Sequence, residues 1–379
     1  EPYAVGGLRP ETFRVATSTG TLTALPGLKA EANSASPIRW TAKAGGNAVD
    51  ITPTAAFNAP AGVELTPTET AALGHLQQIW DGGAISAGNA KTFGDLANVT
   101  SVSDYHEAID SMSPDESVSV AASQTLGAGV SMGMAMSCPA FAGTGTLLQE
   151  TSCAWARVTG SWTRQSSSHD VTGYSQRAAT YRLGAQHEFA KDWFLGGTIG
   201  YTHSNLSDSH GFSKTSGDAL DVSLALKHQI GPWLLAASGH IGWGRYDTDR
   251  VLNIGPSLAA SGGTSTVWTA AGRLRASYEV VRDNWYLKPY ADLDLMYTSM
   301  PGYSETGSGL THLRFASAQQ WNVAFTPAVE IGGRIDINPD MWLRPYASVG
   351  ITFLAKDSMR IGVGFTDSLA PVQDFMAEA

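Results

Sequence analysis

The sequence predicts an all-β-dominated fold: an antiparallel, up-and-down β-barrel of the outer-membrane kind, preceded by a helical segment and a short β-rich stretch. Three observations carry this. From Cys153 onward, polarity alternates with a period of two, in several runs of ten residues or more. The connections between runs alternate short and long, as in barrels that keep short turns on the periplasmic side. A tryptophan stands beside each short connection.

Composition narrows the choice further. The chain has 379 residues, of which 43% are apolar and 15% charged, the latter well below the roughly 25% of soluble globular chains. A net charge of −10 argues against wholesale binding of nucleic acid, and 11 Trp with 12 each of Tyr and Phe argue against disorder. The longest uncharged stretches, such as Ser117–Gln149, are rich in Ser, Gly and Thr. They lack the roughly 20 mostly apolar residues of a spanning helix. The β-barrel survives this filter, because alternating strands leave mean hydropathy near zero.

Three regions follow in order. Residues 1–65 are rich in Thr, Ala, Pro and Gly, with short β-like runs at Ile38–Lys43 and Ala48–Thr52, and read as the end of a repetitive β structure. Residues 66–150 change to helical patterning. Thr66-Pro67-Thr68-Glu69 supplies the N-cap, N1 proline and N3 glutamate of a capping box; Leu73, Leu76 and Trp80 follow at helical spacing, and Gly82-Gly83 stops the helix. A second helix is expected over Asp104–Met112. A third opens at Ser113-Pro114-Asp115-Glu116, another capping box with Pro at N1, and continues through small residues to about Ser137.

Residues 151–379 form the barrel region, with nine strands expected. In Leu287–Tyr297 one face carries Leu287, Leu293 and Leu295, the other Lys288, Asp292 and Asp294; Leu343–Phe353 repeats the pattern. Short turns are expected at Ala190–Asp192, Gly231-Pro232, Arg282–Asn284 and Asn338–Asp340, and long polar loops at Gln165–Tyr174, His203–Gly217, Asp247–Thr266 and Ser299–Gln320. Trp193, Trp233, Trp285 and Trp342 beside the short turns fit an interfacial aromatic girdle. A soluble sandwich or barrel also alternates, but its strands are usually about 5 to 6 residues long and its apolar face turns inward. Here the opposite face carries Arg157, Arg182, Lys227, Arg273, Arg275, Lys288, Asp292, Asp294, Glu330, Arg334 and Arg344, a set of mixed sign that suits a wet lumen. These residues either satisfy one another or keep the pore hydrated and hold a helix by polar contacts.

Such a helix must be slim. Residues 117–137, dominated by Ser, Ala, Gly and Val, meet that condition, and at 1.5 Å per residue they span about one hydrocarbon core.

Trp155–Gly160 after a helical linker, the motifs Trp285–Ala291 and Trp342–Ala347, and the hairpin spacing resemble the translocator domain of autotransporters, from about Glu64 to the C-terminus. Upstream, Ile38–Pro53 resembles the last turns of a β-helical passenger, and Ala108–Ala121 the helical segment that precedes such barrels. The resemblance implies a twelve-stranded barrel in the bacterial outer membrane, of which about nine strands are present here. It also implies a pore helix joined to an exported passenger exposed at the cell surface, and the barrel-assembly machinery as partner alongside lipid. Glu1 is not an initiator and no alternating terminal strand ends the chain, so roughly three further strands are expected after Ala379.

Chemistry is sought and largely not found. Gly129-Val130-Ser131-Met132-Gly133 matches G-x-S-x-G but lacks the strand-to-helix context that exposes the serine. No H-E-x-x-H pair or Cys/His set with zinc spacing occurs, and His203 and His210 are expected in one solvated loop. No catalytic, metal-binding or cofactor-binding residue is therefore expected. Cys138 and Cys153, the two cysteines, are expected to form a disulfide in an oxidising envelope compartment. Some autotransporters cut themselves through an asparagine in the pore helix; none occurs from Ser111 to Ser152, so that route is not expected. The expected function is a translocator unit supporting export of its own N-terminal passenger. The alternative is a stand-alone channel or adhesin barrel with a periplasmic N-terminal domain.

Overall fold

The computed structural model describes residues 7–22, 32–136, 138–141, 145–254, 257–308, 312–338, 341–356, 358–366 and 372–378. Glu1, Ser137, Asp340 and Ala379, named in the expectations above, lie outside the described residues.

The chain opens with β1 (Phe13–Thr17), β2 (Ile38–Gly45) and β3 (Ala48–Ala55), a sheet of order β1-β3-β2. Both pairings are antiparallel, in place of the parallel stacking that β-helical coils would give. Helix α1 (Pro67–Gly82) starts at the expected capping box, with Thr66 and Glu69 exchanging bonds, and ends at Gly83 with φ 71°. Helix α2 (Ala87–Ala97), capped by Ser86, was not foreseen; α3 (Val102–Met112) follows. Ser113 ends α3, its N–H bonded to the Asp110 carbonyl, and Pro114 is the N-cap of α4 (Asp115–Ala135); the side chain of Glu116, the other half of the second expected capping box, lies outside the described residues.

A small hairpin, β4 (Pro139–Phe141) with β5 (Leu148–Glu150), leads into the wall. The wall begins with β6 (Cys153–Gln165), β7 (Tyr174–Ala190), β8 (Trp193–Asp208), β9 (Ser213–Ile230), β10 (Trp233–Ile254) and β11 (Ser257–Tyr278). Then β12 (Val280–Arg282) pairs with β13 (Trp285–Met300). After β14 (Tyr303–Ser304), β15 (Thr306–Gly307) and β16 (Leu313–Phe315) come β17 (Ala318–Gly333), the hairpin β18 (Ile335–Asn338) and β19 (Met341–Leu343), β20 (Tyr346–Gly350) and β21 (Phe353–Leu354). The main sheet path joins β6, β7, β8, β9, β10, β11, β13, β17 and β20 in chain order, nine strands in an antiparallel meander without crossover. This up-and-down order is the one expected. At the short turns Asp192, Gly231 and Asp283 take φ of 60°, 58° and 41°, the left-handed geometry that tight hairpins need.

Polarity is inside-out relative to a water-soluble protein. Leu293 and Leu295 are about half exposed while Asp292 and Asp294 are buried. Leu224, Leu235, Ile241, Leu274 and Phe325 likewise point outward into what lipid would cover. Trp193, Trp233, Trp285 and Trp342 are exposed at the short-turn end. A second aromatic level, missed in the sequence, pairs Tyr181 with Tyr201, Trp243 with Trp268 and Tyr297 with Trp321 on adjacent strands. Ten residue steps separate Trp233 from Trp243, about 34 Å along the strand and, at a tilt near 45°, about 24 Å across the bilayer.

Two expected loops are largely strand. β10 and β11 stay in register from Trp233–Tyr278 to Ile254–Ser257, and β8 and β9 reach Asp208 and Ser213. Outward positions there turn polar, as at Arg245, Asp247, Asp249 and Asn253, which hid the alternation. The expected strand Leu343–Phe353 is broken into pieces, and at the first break Pro345 has no N–H for the ladder. Beyond the wall, β14, β16, β22 (Arg360–Phe365) and β23 (Phe375–Glu378) form a small sheet that sequence reading missed. It shares a core with α1–α3 and the far ends of β10 and β11: Leu76, Ile79, Phe93, Ile109, Leu252, Ile361 and Val363 are almost wholly buried. Arg250 donates to the Ser111 carbonyl at 2.9 Å, and Asn253 to Glu107 at 3.0 Å, fixing this body to the long-hairpin end of the wall.

Candidate functional site

The site is the inner face of the wall and the helix lying on it. α4 packs against β8, β9, β10, β11 and β13. Its small residues allow this: Gly129 and Gly133, one turn apart, leave room for the Arg273 guanidinium, which a Cβ at either position would meet at 3.4 Å. The helix runs from the long-hairpin end, where Ser111 meets Arg250, toward the short-turn end, where β5 meets Lys227. Its roughly 30 Å matches the hydrocarbon core.

Polar contacts hold α4 at successive levels. Midway along it Ser123 donates to Gln176 at 2.8 Å, Gln124 bonds Tyr246, and the Thr125 and Thr298 hydroxyls are 2.6 Å apart. Nearer its end, Ser131 donates to Asp221 at 2.6 Å and accepts from Arg182 at 2.7 Å. Arg182 grips Asp221 through two further bonds of 2.6 and 2.7 Å. The Ser223 hydroxyl lies 2.8 Å from Ser131 and 3.0 Å from His240 Nδ1. Ser131 is thus a buried structural hydroxyl whose proton is held by a carboxylate already paired with arginine. His240 reaches Ser223, not Ser131, so no nucleophile–base pair forms there.

The strand charges mostly satisfy one another. Arg273 pairs with Asp294 at 2.6 Å and with Asp292 at 3.2 Å; Arg275 pairs with Asp292 at 2.6 Å; Arg344 with Glu330 at 3.2 Å. Lys288, half-buried, sits across from Glu330 in the β13–β17 register. Lys227 is wholly buried on Glu150 of β5 at 2.7 Å, and Gln186 donates to the same carboxylate at 2.9 Å. Leu148 N–H bonds Glu279 at 2.9 Å, so the β4–β5 hairpin seats in the short-turn end of the wall. Two expected lumen residues stand apart. Arg157 is exposed on β6, at one end of the meander, stacked on Trp155 at 5.3 Å. Arg334 lies at the β17–β18 junction, 2.7 Å from Asp336 and donating to the Gly145 carbonyl at 3.2 Å.

Sequence reading missed Asp221, Tyr246, His240 and Glu150. The first three lie on inner-face parity, Asp221 between Leu220 and Val222, so that signal was present. Glu150, in a three-residue strand, carried none. Cys138 and Cys153 are joined as a disulfide with Cα atoms 6.2 Å apart, tying the segment after α4 to the first residue of the wall.

Known proteins place the chain. The family model described as "Autotransporter beta-domain" matches residues 154–373, well over half of the sequence. Two curated relatives, each described as an extracellular serine protease of Serratia marcescens, are 28% identical over 173 residues, which is 46% of this chain and 16% of theirs. The chain therefore spans about a sixth of the length of those relatives. Among solved structures, the translocator domain of autotransporter NalP from Neisseria meningitidis gives a TM-score of 0.46 at 14% identity, covering 69% of this chain and 89% of that one. The β domain of the Bordetella autotransporter BrkA gives 0.42 at 20%, covering 57% and 86%. The match over residues 154–373, together with an inside-out antiparallel meander wrapped on a slim helix, makes this chain a member of the autotransporter β-domain family, the outer-membrane translocator unit.

Proposed function

We propose that this unit supports export of its own N-terminal region, and that α4 is the segment left in the pore when export is complete. The observation that carries the proposal is the course of α4. It begins at the long-hairpin end, is held at the Thr125 and Ser131 levels, and ends at the disulfide beside the short turns. With long hairpins outside, as in outer-membrane barrels, residues 7–65 and α1–α3 lie on the cell surface. The mechanism is topological: the wall supplies a polar conduit, and folding outside biases movement outward. The paired charges need no cofactor for this. The barrel-assembly machinery inserts the wall and outer-membrane lipid covers its apolar face. Any enzymatic activity belongs to a passenger upstream, which stays attached or is freed by a separate protease.

The rival arrangement, a channel whose residues 1–137 stay periplasmic, needs the chain to enter the wall from the short-turn end. The course of α4 runs the other way. Cysteine labelling on intact cells, described below, separates the two.

A further inference from the structure

Outside the wall, three elements remote in sequence bring metal-ligand side chains together. Glu69 lies in the first turn of α1. His106 and Asp110 stand one turn apart on α3, the i,i+4 spacing that aims two ligands from one helix face. The donor atoms of these three residues all lie within 4.8 Å of one another. The β8–β9 turn adds a fourth: His210 Nδ1 is 3.4 Å from Asp110 Oδ2, while His106 Nε2 is 3.5 Å from Asp110 Oδ1. We propose that Glu69, His106 and Asp110, with His210 beside them as the fourth ligand, form a binding site for a divalent transition metal, zinc being the best fit.

Geometry and charge both argue for it. Imidazole-to-carboxylate distances of 3.4 and 3.5 Å are long for charge-assisted hydrogen bonds, which fall near 2.8 Å. Each matches the spacing of neighbouring ligands, about 3.4 Å, around an ion bound at roughly 2.1 Å, with His106 on one oxygen of Asp110 and His210 on the other. Glu69 is 3% exposed, and the Asp110 side chain 7%, so two carboxylates sit close together out of water, where a dication offsets their repulsion. Glu69 keeps one oxygen on its capping bond to Thr66 N–H at 2.7 Å, and its carboxyl is hydrogen-bonded to Asp110, where an ion would take the place of the shared proton. The imidazoles are about one-third exposed, which gives an ion an entry path. Two nitrogens and two oxygens suit zinc over calcium or magnesium, which take oxygen. Glu69, His106 and Asp110 supply three ligands that already stand together, and His210, on the other oxygen of Asp110, closes the fourth position by a side-chain adjustment that would clamp the β8–β9 turn to α1 and α3. Sequence spacing gave no warning, because the ligands come from three separate elements.

The test uses the full chain extracted in detergent, stripped with a chelator and titrated with zinc against a chromogenic competitor, then with cobalt for its visible absorption. The expected result is one equivalent bound with Kd below about 1 µM and a tetrahedral cobalt spectrum. His106→Gln and His210→Gln should each weaken binding at least about tenfold. His203→Gln, whose imidazole instead contacts exposed Asp218, should not. His210 lies on an exposed turn, so H210Q decides the matter even if H106Q disturbs folding. No saturable binding below about 10 µM, or equal affinity in wild type and H210Q, overturns the proposal.

Discussion

Arg182 and Asp221 are the pair on which the helix contact turns. Their side chains are 4% and 13% exposed, and Ser131 of α4 is bonded to both. Removing one partner leaves the other charge buried alone, so Asp221→Asn or Arg182→Met should each destabilise the folded barrel by about 3 kcal/mol. Removing both should cost clearly less than the sum; a double-mutant cycle on denaturant midpoints in detergent measures this, and strict additivity would mean the pair is not coupled. Gly200 bears on the same node, because a Cβ there would lie 2.5 Å from Arg182 and 2.6 Å from Asp221, so Gly200→Ala should mimic the single losses. His75, in the outer body, gives a pH dependence. Its Nδ1 lies 2.9 Å from the Gln373 carbonyl and its Nε2 accepts the Phe365 N–H at 3.2 Å. Burial lowers its pKa; the Gln373 carbonyl and nearby Asp374 oppose that, and Arg314 adds to it. A depressed folded-state pKa means the stabilisation is present above the ordinary value of about 6.5 and is lost as pH falls through the folded value. Protection factors for hydrogen exchange of β22 and β23, corrected for intrinsic exchange, should therefore fall as pH drops from roughly 7 to 5, and His75→Gln should flatten that profile.

At the scale of elements, α4 and the disulfide make separable claims. Thr125→Cys with Thr298→Cys should crosslink efficiently, since the two hydroxyls are 2.6 Å apart, and a pair displaced by one helical turn, such as Gly129→Cys with Thr298→Cys, should crosslink poorly. Equal yields from both pairs would mean the helix slides. The Cys138–Cys153 bridge closes a loop of 15 residues, a stabilisation of about 3 kcal/mol in the chain-entropy model. Reduction should change gel mobility and lower the melting midpoint; full thiol labelling of unreduced protein would exclude the bridge. What the sequence disclosed about these elements follows from local chemistry. The α1 start was legible because Thr66 and Glu69 are three residues apart. α2 was not, because Gly88 and Gly94 dilute its pattern. Inner-face parity announced Asp292 and Arg273, but the partner of Lys227 is Glu150, 77 residues away in a strand of three residues. β14, β16, β22 and β23 stayed hidden because six residues or fewer show too little periodicity.

For the whole molecule, two aromatic levels about 24 Å apart fix which part of the wall lipid covers, and the β10–β11 hairpin continues past the second level for eleven residues to Ile254. The body built from α1–α3 and the small sheet stands on that extension, so the orientation of the wall decides on which side of the membrane the N-terminal region lies. Period-two alternation made the wall legible; the extension was not, because no lipid-facing side is needed beyond the aromatic level and the outward positions become polar. The account rests most directly on one measurement, reaction of single engineered cysteines with a membrane-impermeant maleimide on intact, unreduced cells. Thr19→Cys beside β1 and Ser209→Cys in the β8–β9 turn should both react, with Asp192→Cys at a short turn reacting only after permeabilisation. Protection of Thr19→Cys while Ser209→Cys reacts would put the N-terminal region in the periplasm and contradict export through this barrel.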